Sequence, residues 1–417
     1  MKVFKFGGAS VKSAQAIKNI LEIIKLEKNN LFIVISAMDK TTNELENLLS
    51  LYFKKQMLQA QYGKIYMFHF KILNELFSSK STIWIKINKL FEEIKKILKY
   101  PPDMQNYDKT YDSLIPYGEL LSTTIISTFL NENGLQNNWL DARKILITDE
   151  NFRQASVNFE LSKEKIAQLN INENNIYITQ GFIGSSQKNT TTLGREGSDY
   201  SAAVFANLLD AESLTLWKDV DGIYNADPKI IKNTIKLEKI SFREATELAF
   251  FGAKIIHPKT AKPLMQKNIK LYIRSFNNPQ NIGTVVSNFK QKIYPVTPIF
   301  IFNKNQTLIT LSSRNLEFIS ENFLEKVFFI FDKNKTKINL IQNSALTISL
   351  CFDHSERIFS KLIAELENFF EIKYNNKLTL LTIRHYNNQV IDEAIKNKKI
   401  FMQQKNRLNA FFLYQEQ

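Results

Sequence analysis

A lysine beside paired glycines at the end of a short apolar run is a simple phosphate site, and this sequence opens on one. Lys2 to Phe6 reads as a strand, and Lys5-Phe6-Gly7-Gly8-Ala9-Ser10 carries it into a turn. Glycines let the backbone approach a phosphate, and N–H groups at a loop-to-helix junction bind anions. Lys5 would add a point charge on a transferred phosphoryl group. Alone this signal is weak, because a Gly-Gly turn in a β-α unit is usually structural. The chain has no G-x-x-x-x-G-K-[ST] sequence and neither H-R-D nor D-F-G, which excludes P-loop and protein-kinase chemistry.

Three later segments add groups of the same kind. Thr191-Thr192-Leu193-Gly194-Arg195-Glu196-Gly197-Ser198-Asp199 is a glycine-containing loop opening a helix. Arg195 suits bidentate carboxylate binding, and Asp199, beside a helix N-terminus, would orient Lys5 or hold Mg²⁺ rather than meet phosphate itself. Trp217-Lys218-Asp219-Val220-Asp221-Gly222-Ile223-Tyr224 and the following Asp227-Pro228-Lys229 leave a strand end, where nucleotides sit in open α/β sheets. Phe251-Gly252-Ala253-Lys254 supplies another lysine, while His257, next to Pro258, reads as structural.

The elements needed to position these groups are legible as patterns. From Ser13, the residues Ala16, Ile17, Ile20, Leu21 and Ile24 recur at helical spacing, and Leu31 to Ile35 is a continuous apolar run typical of a buried parallel strand. Ile176–Thr179 and Ser213–Trp217 read as further strands, with a helix between them through Tyr200 to Leu209 capped by Ser198 or Asp199. Alternating β and α elements predict a mostly parallel sheet covered by helices on both faces, a three-layer αβα arrangement. Glu44 to about Tyr100 is long, glycine-poor and rich in Leu, Ile, Phe, Lys and Glu, and reads as a helical insertion (about 44–112) whose aromatics pack its core. The texture changes at Tyr294-Pro295-Val296-Thr297-Pro298. Beyond it, Gln306–Leu311, Phe323–Phe331, Lys337–Ile341, Leu346–Phe352 and Arg357–Phe369 predict short strands and two amphipathic helices, with Leu378–Arg384, Val390–Ile400 and Asn409–Tyr414 as an abbreviated second copy.

Bulk properties limit the alternatives. At 417 residues, with 44% hydrophobic and 23% charged, the chain is long enough for two or three globular domains. The net charge of +14 could signal nucleic-acid binding, but the basic residues are dispersed and Lys396-Asn397-Lys398-Lys399 lacks interleaved aromatics, so no nucleic-acid partner is expected. No apolar run approaches the ~18 residues of a membrane span, and the first residues do not form a signal peptide. Cys351 is the sole cysteine, which excludes an internal disulfide framework and a multi-cysteine metal site. A cytoplasmic protein without membrane attachment is the expectation.

Together the four segments resemble the aspartate kinase branch of the amino-acid kinase family, with its K-F-G-G-[TS]-S, G-E-x-x-S, G-F-I-G, T-L-G-R-G-G-S-D, D-V-D-G-I-Y-x-x-D-P and F-G-A-K-x-x-H-P motifs. Gly118-Glu119-Leu120-Leu121-Ser122 and Gly181-Phe182-Ile183-Gly184 complete the series, in family order over about the first 290 residues. The resemblance implies an amino-acid kinase domain over 1–292 and a paired ACT-like domain over 293–417. It implies ATP and Mg²⁺ as cofactors, L-aspartate as acceptor, and a homodimer formed through the C-terminal domain. Lys5, Gly7, Gly8 and Ser10 would then meet the phosphates. Thr42, Glu119 and Arg195 would bind aspartate, with Arg195 on its α-carboxylate. Lys5 and Asp199 would be catalytic, Asp199 orienting Lys5 or the metal, and Lys218, Asp219, Tyr224, Lys229 and Lys254 would line the ATP site. An ionised β-carboxylate needs no general base, so a site of lysines, backbone N–H groups and metal suffices.

The sequence departs from the family pattern at four places. Ala9 removes a hydroxyl from the phosphate turn, and Glu196 replaces a usual glycine. Asn339 and Ala345 stand where lysine-sensitive relatives have acidic side chains, which implies weak or absent lysine inhibition and a tail serving mainly dimerisation. The competing readings are another family member, acting on acetylglutamate, glutamate or UMP, and a catalytically impaired amino-acid sensor.

Overall fold

The structure is a computed structural model of the 417-residue chain, and it describes every residue except Lys28, Asn29, Glu173, Gln187, Lys254, Leu316 and Gln417. The chain divides into two compact units, one formed by residues 1–223, 236–246 and 255–295, the other by 224–235, 247–254 and 296–417. No helix among the described residues is long and apolar enough to cross a membrane.

The first unit is built on a nine-stranded sheet. Its order is Ile293–Tyr294, Lys239–Ser241, Thr284–Ser287, Lys270–Ser275, Ser213–Lys218, Lys2–Phe6, Leu31–Ile35, Ile176–Gln180 and Asn138–Leu140. The six strands from Lys270–Ser275 to Asn138–Leu140 are parallel to one another, and the antiparallel pairs, Lys270–Ser275 with Thr284–Ser287 and Lys239–Ser241 with Ile293–Tyr294, lie toward the other edge. Every residue of Leu31–Ile35 and of Ile176–Gln180 is buried, the pattern of strands covered on both faces. The helices Tyr117–Glu132 and Gly197–Leu208 are apolar or small nearly all round, and accordingly almost wholly buried. Ala14–Glu27 instead buries one stripe, with Ile17, Ile20, Leu21 and Ile24 inward.

The insertion is helical: Thr41–Phe53, Gln59–Leu76, Ile83–Leu98 and Tyr107–Leu114. Its aromatics pack on one another, as Tyr66 does on Phe91 with ring centres 4.9 Å apart. The helix starting near residue 198 begins one residue earlier than its expected cap. Glu196 takes the cap position with φ +54°, and Asp199 falls inside the first turn.

The second unit holds a six-stranded antiparallel sheet, ordered Ile338–Asn343, Thr347–Asp353, Ile299–Ser312, Glu371–Arg384, Asn409–Gln415 and Lys399–Lys405. Strands expected to be short prove to be two 14-residue strands, Ile299–Ser312 and Glu371–Arg384, that run side by side through both halves of the sheet. Register shifts at Asn303–Leu308 break their alternation, which is why the sequence shows each as a shorter piece. One half is covered by the helices Glu321–Lys333 and Glu356–Leu366, around Ile309, Leu311, Val327, Phe331, Phe352 and Leu362. The other half carries the helix Asn388–Ile395, around Leu381, Ile383, Ile391 and Phe412.

Candidate active site

The site residues of the first unit converge through strand register. Lys2–Phe6 and Ser213–Lys218 are parallel neighbours with Lys5 opposite Leu216. Side chains alternate along a strand, so Lys218, two residues beyond Leu216, faces the same side as Lys5. The chain leaves Lys2–Phe6 toward Leu31–Ile35 on one side and returns with Ser213–Lys218 on the other. The lysines therefore stand at the carboxyl ends of the two strands that flank a topological switch point, the usual ligand crevice of such sheets.

Asp199, in the first turn of Gly197–Leu208, joins them. Lys5 Nζ lies 2.5 Å from Asp199 Oδ1, with both side chains about nine-tenths buried. Lys218 Nζ lies 3.5 Å from Asp199 Oδ2 and donates to the carbonyl of Ile255 at 3.4 Å. Burial works against the charge of Asp199, but the ammonium groups of Lys5 and Lys218 outweigh it and hold the carboxyl below the usual carboxylate range.

Gly8 is required by close packing at the adjoining turn. A Cβ there would come within 2.9 Å of the Asp39 carbonyl and 3.0 Å of the Ala37 carbonyl. A Cβ at Gly7 would stand 3.4 Å from Lys5 Nζ, so the glycine leaves the ammonium uncovered. Ser10, expected at the phosphates, is buried and donates its hydroxyl to the Trp217 carbonyl at 3.2 Å, tying the turn to the neighbouring strand.

Of the other expected site residues, Glu119 is tied to this cluster through the Ala37 backbone and the Lys5 charge. Glu119, in the first turn of Tyr117–Glu132, is 2% exposed. Its Oε1 accepts from the Ala37 N–H at 3.2 Å, and its Oε2 has no partner among the described residues. Burial pushes its carboxyl up to about 8, against the opposing pull of the Ala37 N–H and the Lys5 charge. Thr42 is half-buried at the start of Thr41–Phe53, while the Thr41 hydroxyl beside it is buried without a partner among the described residues. Arg195 and Asp219 are exposed, and the Arg195 guanidinium holds no ion pair or hydrogen bond among the described residues. Tyr224 and Lys229 belong to the second unit, and Lys254 lies outside the described residues. His257 is structural, as its sequence context suggested: its Nδ1 accepts from the Lys259 N–H at 3.2 Å and caps Pro258–Gln266.

One functional candidate left no sequence signal. Asp112 is fully buried and accepts from the Thr192 N–H at 2.8 Å, the Thr192 hydroxyl at 2.7 Å and the Arg153 N–H at 3.0 Å. Its partners lie 80 and 41 residues away, beyond any local pattern.

The arrangement is one for gripping anions: paired lysines held by a buried carboxylate, with a buried glutamate whose second oxygen has no partner among the described residues. Comparison with known proteins agrees with that class. The chain belongs to the amino acid kinase family, whose model matches residues 1–275, and within it to the aspartokinases. It is 35% identical over 355 residues to the lysine-sensitive aspartokinase 3 of Escherichia coli, covering 84% of this chain and 78% of that protein. To the chloroplastic aspartokinase 1 of Arabidopsis thaliana it is 30% identical over 382 residues, covering 88% of this chain and 66% of the relative. Among solved structures it resembles E. coli aspartokinase III in complex with lysine and aspartate, with a TM-score of 0.83, 30% identity, and coverage of 99% of this chain and 95% of that one. The same enzyme in complex with aspartate and ADP gives a TM-score of 0.80, 30% identity, and coverage of 100% and 96%.

Proposed function

We propose that this chain transfers the γ-phosphoryl group of ATP to the side-chain carboxylate of L-aspartate, giving 4-phospho-L-aspartate and ADP. The observation that carries the reading is the Lys5–Asp199–Lys218 cluster beside a buried Glu119 whose second oxygen has no partner among the described residues. In this reading Glu119 Oε2 accepts from the substrate ammonium and Arg195 binds the α-carboxylate, with Thr42 alongside. The β-carboxylate is ionised at neutral pH, so its oxygen attacks phosphorus directly and the bond to the bridging oxygen of ADP breaks, with no proton to remove. Lys5 and Lys218 neutralise charge on the phosphoryl oxygens, and Asp199 keeps both ammonium groups aimed without reorganisation. Gly7 and Gly8 give backbone access to the phosphates, Ser10 fixes that turn, and Asp219, Tyr224, Lys229 and Lys254 serve the nucleotide.

Mg²⁺ enters this reaction with ATP. Asp199 is already bracketed by two ammonium groups, and among the described residues no cluster of three His, Cys, Asp or Glu could hold a metal. That donor set does not fit a resident ion, whereas Mg²⁺ held by phosphate oxygens and water needs no such cluster.

We assign residues 1–292 as the catalytic domain and 293–417 as the paired ACT-like domain, through which two cytoplasmic copies dimerise. Within the latter, Asn339 donates to Gln306 Oε1 at 2.9 Å and to Asp353 Oδ1 at 3.0 Å, while Ala345 offers no polar group. Neither position supplies a carboxylate to a cationic effector, which supports weak or absent lysine inhibition. The reaction is tested by supplying Mg-ATP with aspartate, acetylglutamate, glutamate or UMP and trapping acyl phosphate with hydroxylamine. Hydroxamate should form from aspartate; none from aspartate, or a preference for acetylglutamate, would refute the proposal.

A further inference from the structure

The exposed Arg195 guanidinium has no partner among the described residues, so the accuracy of its proposed grip depends on what holds the backbone before it. That backbone is the segment Thr190–Thr192 followed by Leu193 and Gly194, and it rests on buried Asp112. Asp112 Oδ2 accepts from the Thr192 N–H and from the Arg153 N–H, and Oδ1 accepts from the Thr192 hydroxyl. The Thr192 carbonyl in turn accepts from the Ala155 N–H at 3.0 Å. Gly194 has φ +76°, and a Cβ on it would lie 3.0 Å from the Arg153 carbonyl. The 153–155 segment and the Arg195 segment are therefore packed against each other, and both hang on one carboxylate.

The other side of this joint is equally built. Arg153 sits at φ +66°, in the left-handed region. Its guanidinium lies 4.6 Å from the ring centre of Tyr111 and bonds Asp108 Oδ1 at 3.0 Å. Asp108, Tyr111 and Asp112 all belong to Tyr107–Leu114, and the chain passes from there through two residues into Tyr117–Glu132, which carries Glu119. One continuous stretch thus anchors both the backbone leading to Arg195 and the carboxylate seven residues later in sequence.

We propose that Asp112 is a positioning residue for the amino-acid substrate, fixing the Thr192–Arg195 backbone so that the Arg195 guanidinium meets the α-carboxylate while Glu119 holds the ammonium. This rests on the assignment of Arg195 to the substrate carboxylate. Asp112 touches neither substrate nor nucleotide. It acts through Thr192, and its removal misplaces the clamp without touching the lysine cluster.

The test compares Asp112→Ala, Asp112→Asn, Arg195→Ala and the Asp112→Ala/Arg195→Ala double variant in the hydroxylamine assay. Displacement of a positioned group by about 1 Å can cost up to ~100-fold, so Asp112→Ala should raise the KM for aspartate by roughly 10-fold or more and leave the KM for Mg-ATP within about twofold. Asn retains a carbonyl for the two N–H donors and should recover most of the loss. The double variant should be no worse than Arg195→Ala, because Asp112 acts through that side chain. Equal rises in both KM values, additive losses in the double variant, or an unchanged KM for aspartate would overturn the proposal. An Arg195→Ala variant with normal aspartate KM would refute the clamp itself and with it this role. Should the Ala variant fail to fold, Thr192→Val removes one donor at nearly constant shape; it should raise the aspartate KM alone, and an unchanged value would count against Asp112.

Discussion

If Glu119 receives the substrate ammonium, aspartate binding must respond to pH in a way set by its burial. In the unliganded chain its carboxyl is raised to about 8, because desolvation outweighs the Ala37 N–H and the charge of Lys5. The ammonium favours the ionised form, so below pH 8 binding must first remove a proton. Each unit well below that value weakens binding about tenfold, about 1.4 kcal/mol, so the KM for aspartate should rise about 50-fold from pH 8, where the group is half protonated, to pH 6. Above pH 8 it should level off. The substrate β-carboxylate, with a reference value near ~3.9, does not titrate in this window. A coupled assay of ADP release across pH 6–9 at saturating Mg-ATP reads the effect, with Glu119→Gln as control: its aspartate KM should be high and nearly independent of pH. Stability supplies a second readout. The folded value lies above the unfolded one, so this group stabilises the empty fold at low pH. That contribution is lost as pH rises from 4.5 toward 8, at up to about 1.4 kcal/mol per unit. The melting temperature of the empty protein should therefore fall over that range more steeply than that of Glu119→Gln. A flat aspartate KM between pH 6 and 8, or an unchanged slope in Glu119→Gln, would refute the reasoning.

Asp199→Asn leaves Lys5 and Lys218 without their shared counter-charge, and by comparison with loss of other preorganised electrostatic groups kcat should fall about 100- to 1000-fold, measured under saturating substrates. Glu196 occupies the left-handed region at φ +54°, where a side chain costs ~1–2 kcal/mol, so Glu196→Gly should raise stability by about 1 kcal/mol in urea unfolding. With Asn339 and Ala345 in place of carboxylates, submillimolar lysine should leave the rate unchanged; strong inhibition in a kinase assay would overturn the effector reading.

The sequence itself determined the alternation of strands and helices in the first 290 residues, the helical insertion and the chemical character of the phosphate turn. Each of these is local: apolar periodicity, a Gly-Gly turn after a strand, or a lysine at a strand end. It also carried Glu119, Arg195, Asp199 and Lys218 as candidates, because their motifs are short and keep family order. Other features were not legible there. The two 14-residue strands of the second unit were masked by register shifts that interrupt alternation. Ser10 looked like a phosphate ligand by position, yet its hydroxyl turns to Trp217, 207 residues away.

Tertiary structure alone decided how the candidates act on one another. Lys5 and Lys218 meet on Asp199 only because two strands more than two hundred residues apart pair in parallel, in a register that puts both lysines on one face. Glu119 is displaced toward 8 because packing removes water from it, which no stretch of neighbouring sequence can specify. Asp112 has three donors for the same reason: they come from strands and loops that reach it only after the chain has folded.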